Sequence, residues 1–137
     1  MSPLFHLAFQ VHDLNAARRF YGQILGCTEG RSTDRWVDFN FFGHQLSLHL
    51  GAAADQTSTS LVDEHNVPIP HFGVILEMPE WEELMAQLEQ QGVVFEVSPS
   101  LRFAGQAGQQ ASAFVRDPSG NALEFKGFTD LSGVYEK

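Results

Sequence analysis

Two histidines of this chain stand at the head of similar apolar runs. His6 begins the stretch HLAFQV and His71 begins HFGVIL. An imidazole can ligate a metal ion or transfer a proton, although a single histidine on an apolar strand is usually a hydrogen-bonded core residue. Two histidines at matched places need one explanation for both. They form a single site only if the chain is built from two similar halves.

Two further polar residues occupy comparable short patterns near the end of each half, His49 in SLHL and Glu124 in ALEF. Period-two alternation places each of them on a strand face with small or polar neighbours, opposite a face of Leu and Phe. The same alternation puts His6 and His71 on faces of this kind. The four side chains are therefore expected to line a polar surface rather than the core.

The composition is that of an ordinary globular chain. At 137 residues it is long enough for one domain with a substantial core. A formal net charge of −9 argues against nucleic acid and against anionic membrane surfaces as partners. Cys27 is the single cysteine, which excludes an intrachain disulfide, and we expect it to be a small buried residue rather than a nucleophile.

The first residues, MSPLFHLAFQVHD, contain neither a basic opening segment nor a long apolar stretch. No part of the chain approaches the roughly 18 apolar residues of a membrane span. We therefore expect a cytoplasmic protein.

The first half predicts a strand, a helix and then strands. Residues 3–11 alternate at period two, as a strand does. The next stretch has a helical apolar stripe, with Asp13 as its N-cap and Gly26 as its stop. Residues 35–50 predict two strands joined as a hairpin near Gly43.

The second half predicts the same order. Residues 71–77 are a strand, and the following helix has Pro79 near its first turn and Gly92 at its end. Residues 93–99 are a further strand. Residues 109–128 predict a hairpin around DPSG, whose Asp, Pro and Gly suit a tight turn.

The spacing from each histidine to the glycine that ends the next helix is nearly equal. It is 20 residues from His6 to Gly26 (26 − 6) and 21 residues from His71 to Gly92 (92 − 71). This agreement indicates an internal duplication with few identities.

The sequence thus predicts an α+β domain over residues 1–137, made of two β-α-β-β-β units. The first unit spans about residues 3–50 and the second about 68–128, and the polar, proline-bearing stretch 51–67 is interpreted as a connecting loop. The alternation of helix and strands alone also allows a ferredoxin-like sandwich. The paired polar residues favour two units that face one another.

The chain resembles the vicinal oxygen chelate superfamily, which contains glyoxalase I, extradiol dioxygenases, and bleomycin- and fosfomycin-resistance proteins. The resemblance covers roughly residues 3–128 and is carried by FHLAFQVHDLNAARRFYGQILG, PHFGVIL and FVRDPSGNALEF. The last motif is the most specific, because a DP-[DS]-G-N turn before a strand with a glutamate recurs at the end of that domain. The resemblance implies an open curved sheet around a metal cleft.

The resemblance also implies a ligand set. Carried over to this sequence, the metal ligands are His6, His71 and Glu124, and His49 stands at a fourth position where glyoxalase I has a carboxylate. Two imidazoles and one carboxylate suit Fe(II), Mn(II), Ni(II) or Zn(II), of which we favour Fe(II). The alternative is a buried, hydrogen-bonded His–Glu pair that holds no metal.

Three functions remain open on this basis. A three-ligand site leaves about three of six octahedral positions free, enough for a bidentate substrate and O₂, as in an extradiol dioxygenase. If His49 is a fourth ligand, a glyoxalase-type lyase or isomerase is favoured, with Glu124 as the base. The third is a non-catalytic small-molecule-binding protein like the drug-resistance members. We favour the dioxygenase narrowly, with His49 facing the substrate and needed for turnover.

Several other expectations concern the surroundings of this site. Arg102 and Phe103 stand in the glycine-rich stretch LRFAGQAGQQ, which either folds over the substrate as a lid or is a plain surface loop. Tyr21 lies on the apolar stripe of the first helix, so we expect it in the core. Two short units leave open sheet edges, and the sequence therefore predicts a homodimer that binds a small-molecule substrate.

Overall fold

The computed structural model describes residues 2–137 and divides into two compact units. The first unit ends at Asp55 and also includes Asp117–Asn121, and the second comprises Gln56–Arg116 and Ala122–Lys137. The first unit has the order β-α-β-β-β, and the second has the same order after a short two-stranded hairpin, each with an open four-stranded sheet. The predicted α+β class and its two repeated units are confirmed.

The sheet of the first unit is mixed. Its strands in chain order are β1 His6–Val11, β2 Thr28–Ser32, β3 Trp36–Phe41 and β4 His44–Leu50. In space the order is β1-β4-β3-β2, with β1 and β4 parallel and the other pairs antiparallel. The position of β2 was not predicted, because all its residues are exposed and show no apolar alternation.

The helical segment of the first unit starts and stops where the sequence predicts. The α-helix α1 spans Leu14–Arg18 and continues as a π-helical segment, Arg19–Ile24. The Asp13 carboxylate accepts the Ala16 backbone N–H at 3.0 Å, which makes it the N-cap. Gly26 adopts a φ of 76°, a conformation that suits glycine and ends the helix.

Tyr21 lies in the core of the first unit, as predicted, but its hydroxyl is also bonded. The side chain is 0% exposed and its ring packs 5.9 Å from that of Phe39. The hydroxyl donates to Asp117 Oδ2 at 2.8 Å. The same carboxylate accepts the backbone N–H groups of Ser119 and Asn121, so the DPSGN turn is held by one buried acid.

The stretch 51–67, interpreted from sequence as a loop, contains most of a β-hairpin. Its strands are β5 Thr59–Val62 and β6 His65–Pro68, which pair antiparallel. Asp63 and Glu64 form the turn with φ values of 44° and 68°. Neither four-residue strand alternates between buried and exposed positions, so their pairing with each other, rather than an apolar face, makes them strands. The loop interpretation was wrong for these residues.

The second unit contains a matching mixed sheet. Its strands are β7 His71–Glu77, β8 Val97–Arg102, β9 Gln110–Arg116 and β10 Ala122–Phe128, in the spatial order β7-β10-β9-β8. β7 is parallel to β10 and the other pairs are antiparallel. The predicted strand at 93–99 begins later, at Val97, where pairing with Phe114 of β9 starts.

Helix α2, Met78–Gln90, packs on one face of this sheet. Pro79 lies in its first turn, and Gly92 follows it with a φ of 73°, as predicted. The Trp81 indole N–H donates to the Phe125 carbonyl at 2.8 Å, which fixes the helix on β10. A short 3₁₀ helix, Leu131–Tyr135, follows β10. Among residues 2–137, no helix is long and apolar enough to cross a membrane.

Candidate functional site

Strand β10 separates the core of the second unit from a polar face. Phe125 is 0% exposed on the side of α2, whereas Glu124 and Lys126 project to the opposite side. His71 is the register partner of Ala122 on the neighbouring strand. Cross-strand partners share a face, so His71 lies on the same side as Glu124.

His71 and Glu124 form a close pair on this face. The distance from His71 Nε2 to Glu124 Oε1 is 3.2 Å. His71 Nδ1 lies 2.7 Å from the Pro68 carbonyl oxygen, which has no proton, so Nδ1 carries the proton and donates it. The Ser112 hydroxyl donates to Glu124 Oε2 at 2.6 Å. The two remaining atoms, Nε2 and Oε1, face each other, and an arrangement of two lone pairs requires a proton or a cation between them.

The pKa shifts of both groups favour the ion pair of a protonated His71 and an ionised Glu124. The hydrogen bond with Glu124 raises the pKa of His71, burial opposes this, and the Pro68 carbonyl adds to it. Burial by itself would raise the pKa of Glu124, but hydrogen bonds from His71 and Ser112 and the charge of Lys126 lower it overall. A metal ion at this place must therefore displace a proton from His71.

The geometry of the pair fits a divalent ion. Two ligand atoms each ~2.1 Å from a metal are separated by about 3.0 Å at a right angle and about 3.4 Å at a tetrahedral angle. The 3.2 Å between His71 Nε2 and Glu124 Oε1 lies between these values. The Pro68 carbonyl and the Ser112 hydroxyl orient the two side chains as outer partners of metal ligands commonly do.

A glycine allows the two strands of the pair to approach. Gly73 is the register partner of Glu124, and a Cβ atom at Gly73 would overlap the backbone carbonyl oxygen of Glu124. A larger residue would force β7 away from β10. The separation of the pair therefore depends on glycine at this position.

His6 in the first unit is also oriented by a hydrogen bond from its Nδ1. Its Nδ1 lies 2.8 Å from Gln45 Oε1, and Gln45 Nε2 donates to Asp38 Oδ2 at 3.3 Å. Because the Asp38 carboxylate only accepts, the amide is oriented with Oε1 towards His6, whose Nδ1 must donate. His6 is exposed in the described chain, and its Nε2 remains free, as a ligand atom requires.

The strand register corrects the sequence alignment between the first and the second unit. Ala8 pairs with Ser47, and Gly73 pairs with Glu124, each two residues after the strand histidine. Ser47, not His49, therefore corresponds to Glu124. The SLHL and ALEF patterns misled the alignment, because period-two alternation matches equally well after a shift of two residues. His49 lies on the same face as Ser47 and is exposed. Its contact with the substrate remains a prediction.

The sequence left a lid and a plain surface loop open for Arg102 and Phe103, and the structure places them at the end of β8 and directly after it. Arg102 is the last residue of β8 and only 2% exposed, and Phe103 follows it with a φ of 54°. The Phe103 backbone N–H donates to Asp63 at 3.0 Å. Both residues line a cavity of about 150 Å³ whose wall also includes His71 and Glu124. The surface-loop interpretation was wrong for Arg102, since it is a buried strand residue.

The predicted site residues thus divide between the units. His71, Glu124, Arg102 and Phe103 come together in the second unit, whereas His6 and His49 belong to the first. Among residues 2–137 no group of three or more His, Cys, Asp or Glu side chains lies close enough to hold a metal ion.

Sequence reasoning did not find the residues that orient these groups. Ser112 and Lys126 stand on the polar faces of β9 and β10, and Gln45 and Asp38 hold His6. Period-two counting from Glu124 finds Lys126 directly. The others require the register of neighbouring strands, which the sequence did not supply.

Comparisons with known proteins agree with this architecture. The family model of the Glyoxalase/Bleomycin resistance protein/Dioxygenase superfamily matches residues 4–125. A crystal structure of a glyoxalase/bleomycin resistance protein/dioxygenase from Alicyclobacillus acidocaldarius is 33% identical, covers 97% of this chain and 96% of its own, and has a TM-score of 0.83. Among curated proteins, no significant sequence match was found.

Two more distant structures share the fold. The fosfomycin resistance protein FosX from Listeria monocytogenes is 19% identical over 98% of both chains, with a TM-score of 0.72. A lactoylglutathione lyase from Agrobacterium tumefaciens is 20% identical over 94% of this chain and 96% of its own, with a TM-score of 0.68. The paired β-α-β-β-β units are those of the vicinal oxygen chelate class. The chain belongs to the Glyoxalase/Bleomycin resistance protein/Dioxygenase superfamily.

Proposed function

We propose that this protein is a divalent-metal-dependent enzyme acting on a small molecule, and that His6, His71 and Glu124 hold the ion. The observation that carries the proposal is the His71–Glu124 pair, in which the two facing atoms are 3.2 Å apart and both outer atoms are already bonded. A neutral imidazole nitrogen and a carboxylate oxygen in this arrangement are a ready pair of ligands. His6 is the proposed third ligand, with its Nδ1 held by Gln45.

The residues of the chain hold the ligand atoms in place before an ion binds. The Pro68 carbonyl fixes the tautomer of His71, and Ser112 leaves only Oε1 of Glu124 available. A bound divalent ion supplies Lewis-acid stabilisation of the negative charge that develops on substrate oxygens. Fe(II) is the favoured ion, and Mn(II), Ni(II) and Zn(II) suit the same ligands.

Among metal-dependent reactions we favour an O₂-dependent dioxygenase over a glyoxalase-type lyase. Ser47 rather than a carboxylate or imidazole stands at the position that corresponds to Glu124, which supports a set of three ligands. His49, on the same polar face, then contacts the substrate and is needed for turnover. We place this activity in the cytoplasm, in line with the sequence.

Metal analysis of protein purified without chelator tests the proposal. We expect about one divalent ion per chain, lost in a His71→Ala variant, and oxygen uptake that depends on an added catechol from a panel of such compounds. Equal metal content in wild type and His71→Ala contradicts the metal site. Bound metal with turnover of a thiol–ketoaldehyde adduct and no oxygen uptake replaces the dioxygenase by a lyase.

A further inference from the structure

Arg102 is a buried cation whose terminal nitrogens have no partner among the described residues. The residue is 2% exposed, and within residues 2–137 neither Nη1 nor Nη2 of its guanidinium donates a hydrogen bond. Buried charges in proteins are ordinarily paired, because an unpaired one has lost its hydration without compensation. The Ser100 hydroxyl, two residues earlier on the same face of β8, also lacks a partner. These donors indicate a missing acceptor.

Two acidic side chains of the second unit, Asp63 and Glu124, already have other partners. The Asp63 carboxylate accepts the Phe103 backbone N–H, and Glu124 accepts from Ser112 and pairs with His71. Among the residues that the structure describes, Arg102 forms no ion pair within 4.0 Å. Within the described residues, therefore, no acidic side chain neutralises the guanidinium of Arg102.

The cavity beside Arg102 is positively charged in an otherwise acidic protein. Arg102 and Lys126 both line it, against one carboxylate, Glu124, which is shared with His71. The whole chain has a formal net charge of −9. A local excess of positive charge against this background favours an anion at this place.

The size of the cavity limits what it holds. Its volume is about 150 Å³, which equals about five water molecules at roughly 30 Å³ each. Phe103, Phe114 and Val67 supply apolar wall, and Gln110 is a further polar group. This space suits one small oxyanion group with a few neighbouring atoms rather than a whole large ligand.

We infer that this cavity binds an oxyanion group of the substrate, a carboxylate, phosphate or phosphonate, through the terminal nitrogens of Arg102 with Lys126 as a second cation. A guanidinium binds such groups through two parallel N–H bonds, which explains why an arginine is kept buried and unpaired here. That the anion belongs to the substrate rests on the proposed function, because His71 and Glu124 line the same cavity. The substrate then has an anionic end beside Arg102 and its reacting oxygens towards the proposed metal ligands.

Anion binding by metal-free protein tests this inference independently of catalysis. Chelator-treated wild type, Arg102→Met and Arg102→Lys are titrated by calorimetry with inorganic phosphate, methylphosphonate and acetate, at an ionic strength held constant with sodium chloride. Arg35→Met removes an equal charge from an exposed position and is the matched control. Metal content is measured separately on the same variants purified without chelator, and Arg102→Met should retain its metal.

We expect one anion site per chain in wild type and Arg35→Met, with the dissociation constant raised about tenfold or more in Arg102→Met because the charged bidentate contact is lost. Binding of phosphate and methylphosphonate but not acetate assigns a phosphoryl or phosphonyl group, and the reverse assigns a carboxylate. No binding of any of the three anions, or equal binding by wild type and Arg102→Met, overturns the inference. If Arg102→Met does not fold, anion affinity is compared between wild type and Arg102→Lys. Equal affinity of these two proteins also overturns the inference, because lysine lacks the two parallel N–H donors of the guanidinium. If wild type purified without chelator contains no metal but the metal-free protein binds the anion, the proposed metal site alone is refuted.

Discussion

His71 Nε2 faces Glu124 Oε1 at 3.2 Å, and the outer atom of each side chain is bonded to a different partner, Pro68 or Ser112. The pair is thus held by two strands and two orienting groups. Removing the charge of one member should lower metal content only if the pair is a metal site, and not if it is a simple ion pair.

Glu124→Gln should lower metal affinity at least about tenfold, because a neutral amide replaces a charged ligand. The measurement is metal content per chain, by elemental analysis after equilibration with a fixed free metal concentration. Glu82→Gln makes the same chemical change on the exposed side of α2 and should leave metal content unchanged. Full metal content in Glu124→Gln shows that the ligand assignment is wrong.

His49→Ala should retain the metal and reduce turnover. Strand register puts His49 two residues beyond Ser47, the position that corresponds to Glu124, so we expect it to contact substrate rather than the ion. Metal content and catalytic rate are measured on the same preparation, with the exposed His65→Ala as control. A tenfold or larger loss of metal affinity would instead make His49 a fourth ligand and favour lyase or isomerase chemistry.

Tyr21→Phe should destabilise the protein by about 1–3 kcal/mol, because the buried Asp117 carboxylate loses a hydrogen bond and is not rehydrated. Denaturant unfolding measures this change, and metal content should stay at the wild-type level. Tyr135→Phe removes a hydroxyl from a residue that is 90% exposed and should change stability by less than about 0.5 kcal/mol. Equal stability of the two variants contradicts a structural role for the Tyr21–Asp117 bond.

The protein should behave as a homodimer. β1 and β7 are edge strands of their own sheets, and an open edge offers unpaired backbone groups to a second chain. Light scattering at micromolar concentration should give a mass of about 30 kDa, twice the 15.2 kDa of one chain. A stable particle of the single-chain mass at that concentration rules the dimer out.

Cys27 should react slowly with alkylating reagents. Burial raises the pKa of its thiol from 9.0 to about 11, and only the thiolate reacts, so alkylation at pH 8 should be about a hundredfold slower than for a thiol of pKa 9.0. Because the group loses its proton as pH rises, the rate should increase about tenfold per pH unit up to about pH 10. Mass spectrometry of iodoacetamide-treated protein follows the reaction, and a rate equal to that of a small-molecule thiol contradicts the shift.

Local rules acting on neighbouring residues determined much of this protein. Period-two alternation correctly put Glu124 and His71 on the face opposite the apolar residues of their strands. Asp13 and Gly26 marked the first helical segment, because capping and left-handed termination depend on a single residue and its immediate neighbours. The same order of strands and helix in the two halves then predicted the fold.

Tertiary structure decided the rest. Strands β2, β5 and β6 form because of their pairing partners, which no pattern within them reveals. Register, fixed by β1 and β7, selected Ser47 rather than His49 as the counterpart of Glu124, a choice that period-two patterns leave open. The burial of Arg102 was also beyond the sequence. An arginine at a strand end is normally solvated, and only the packing of distant elements around it removes its water and leaves its charge facing a cavity.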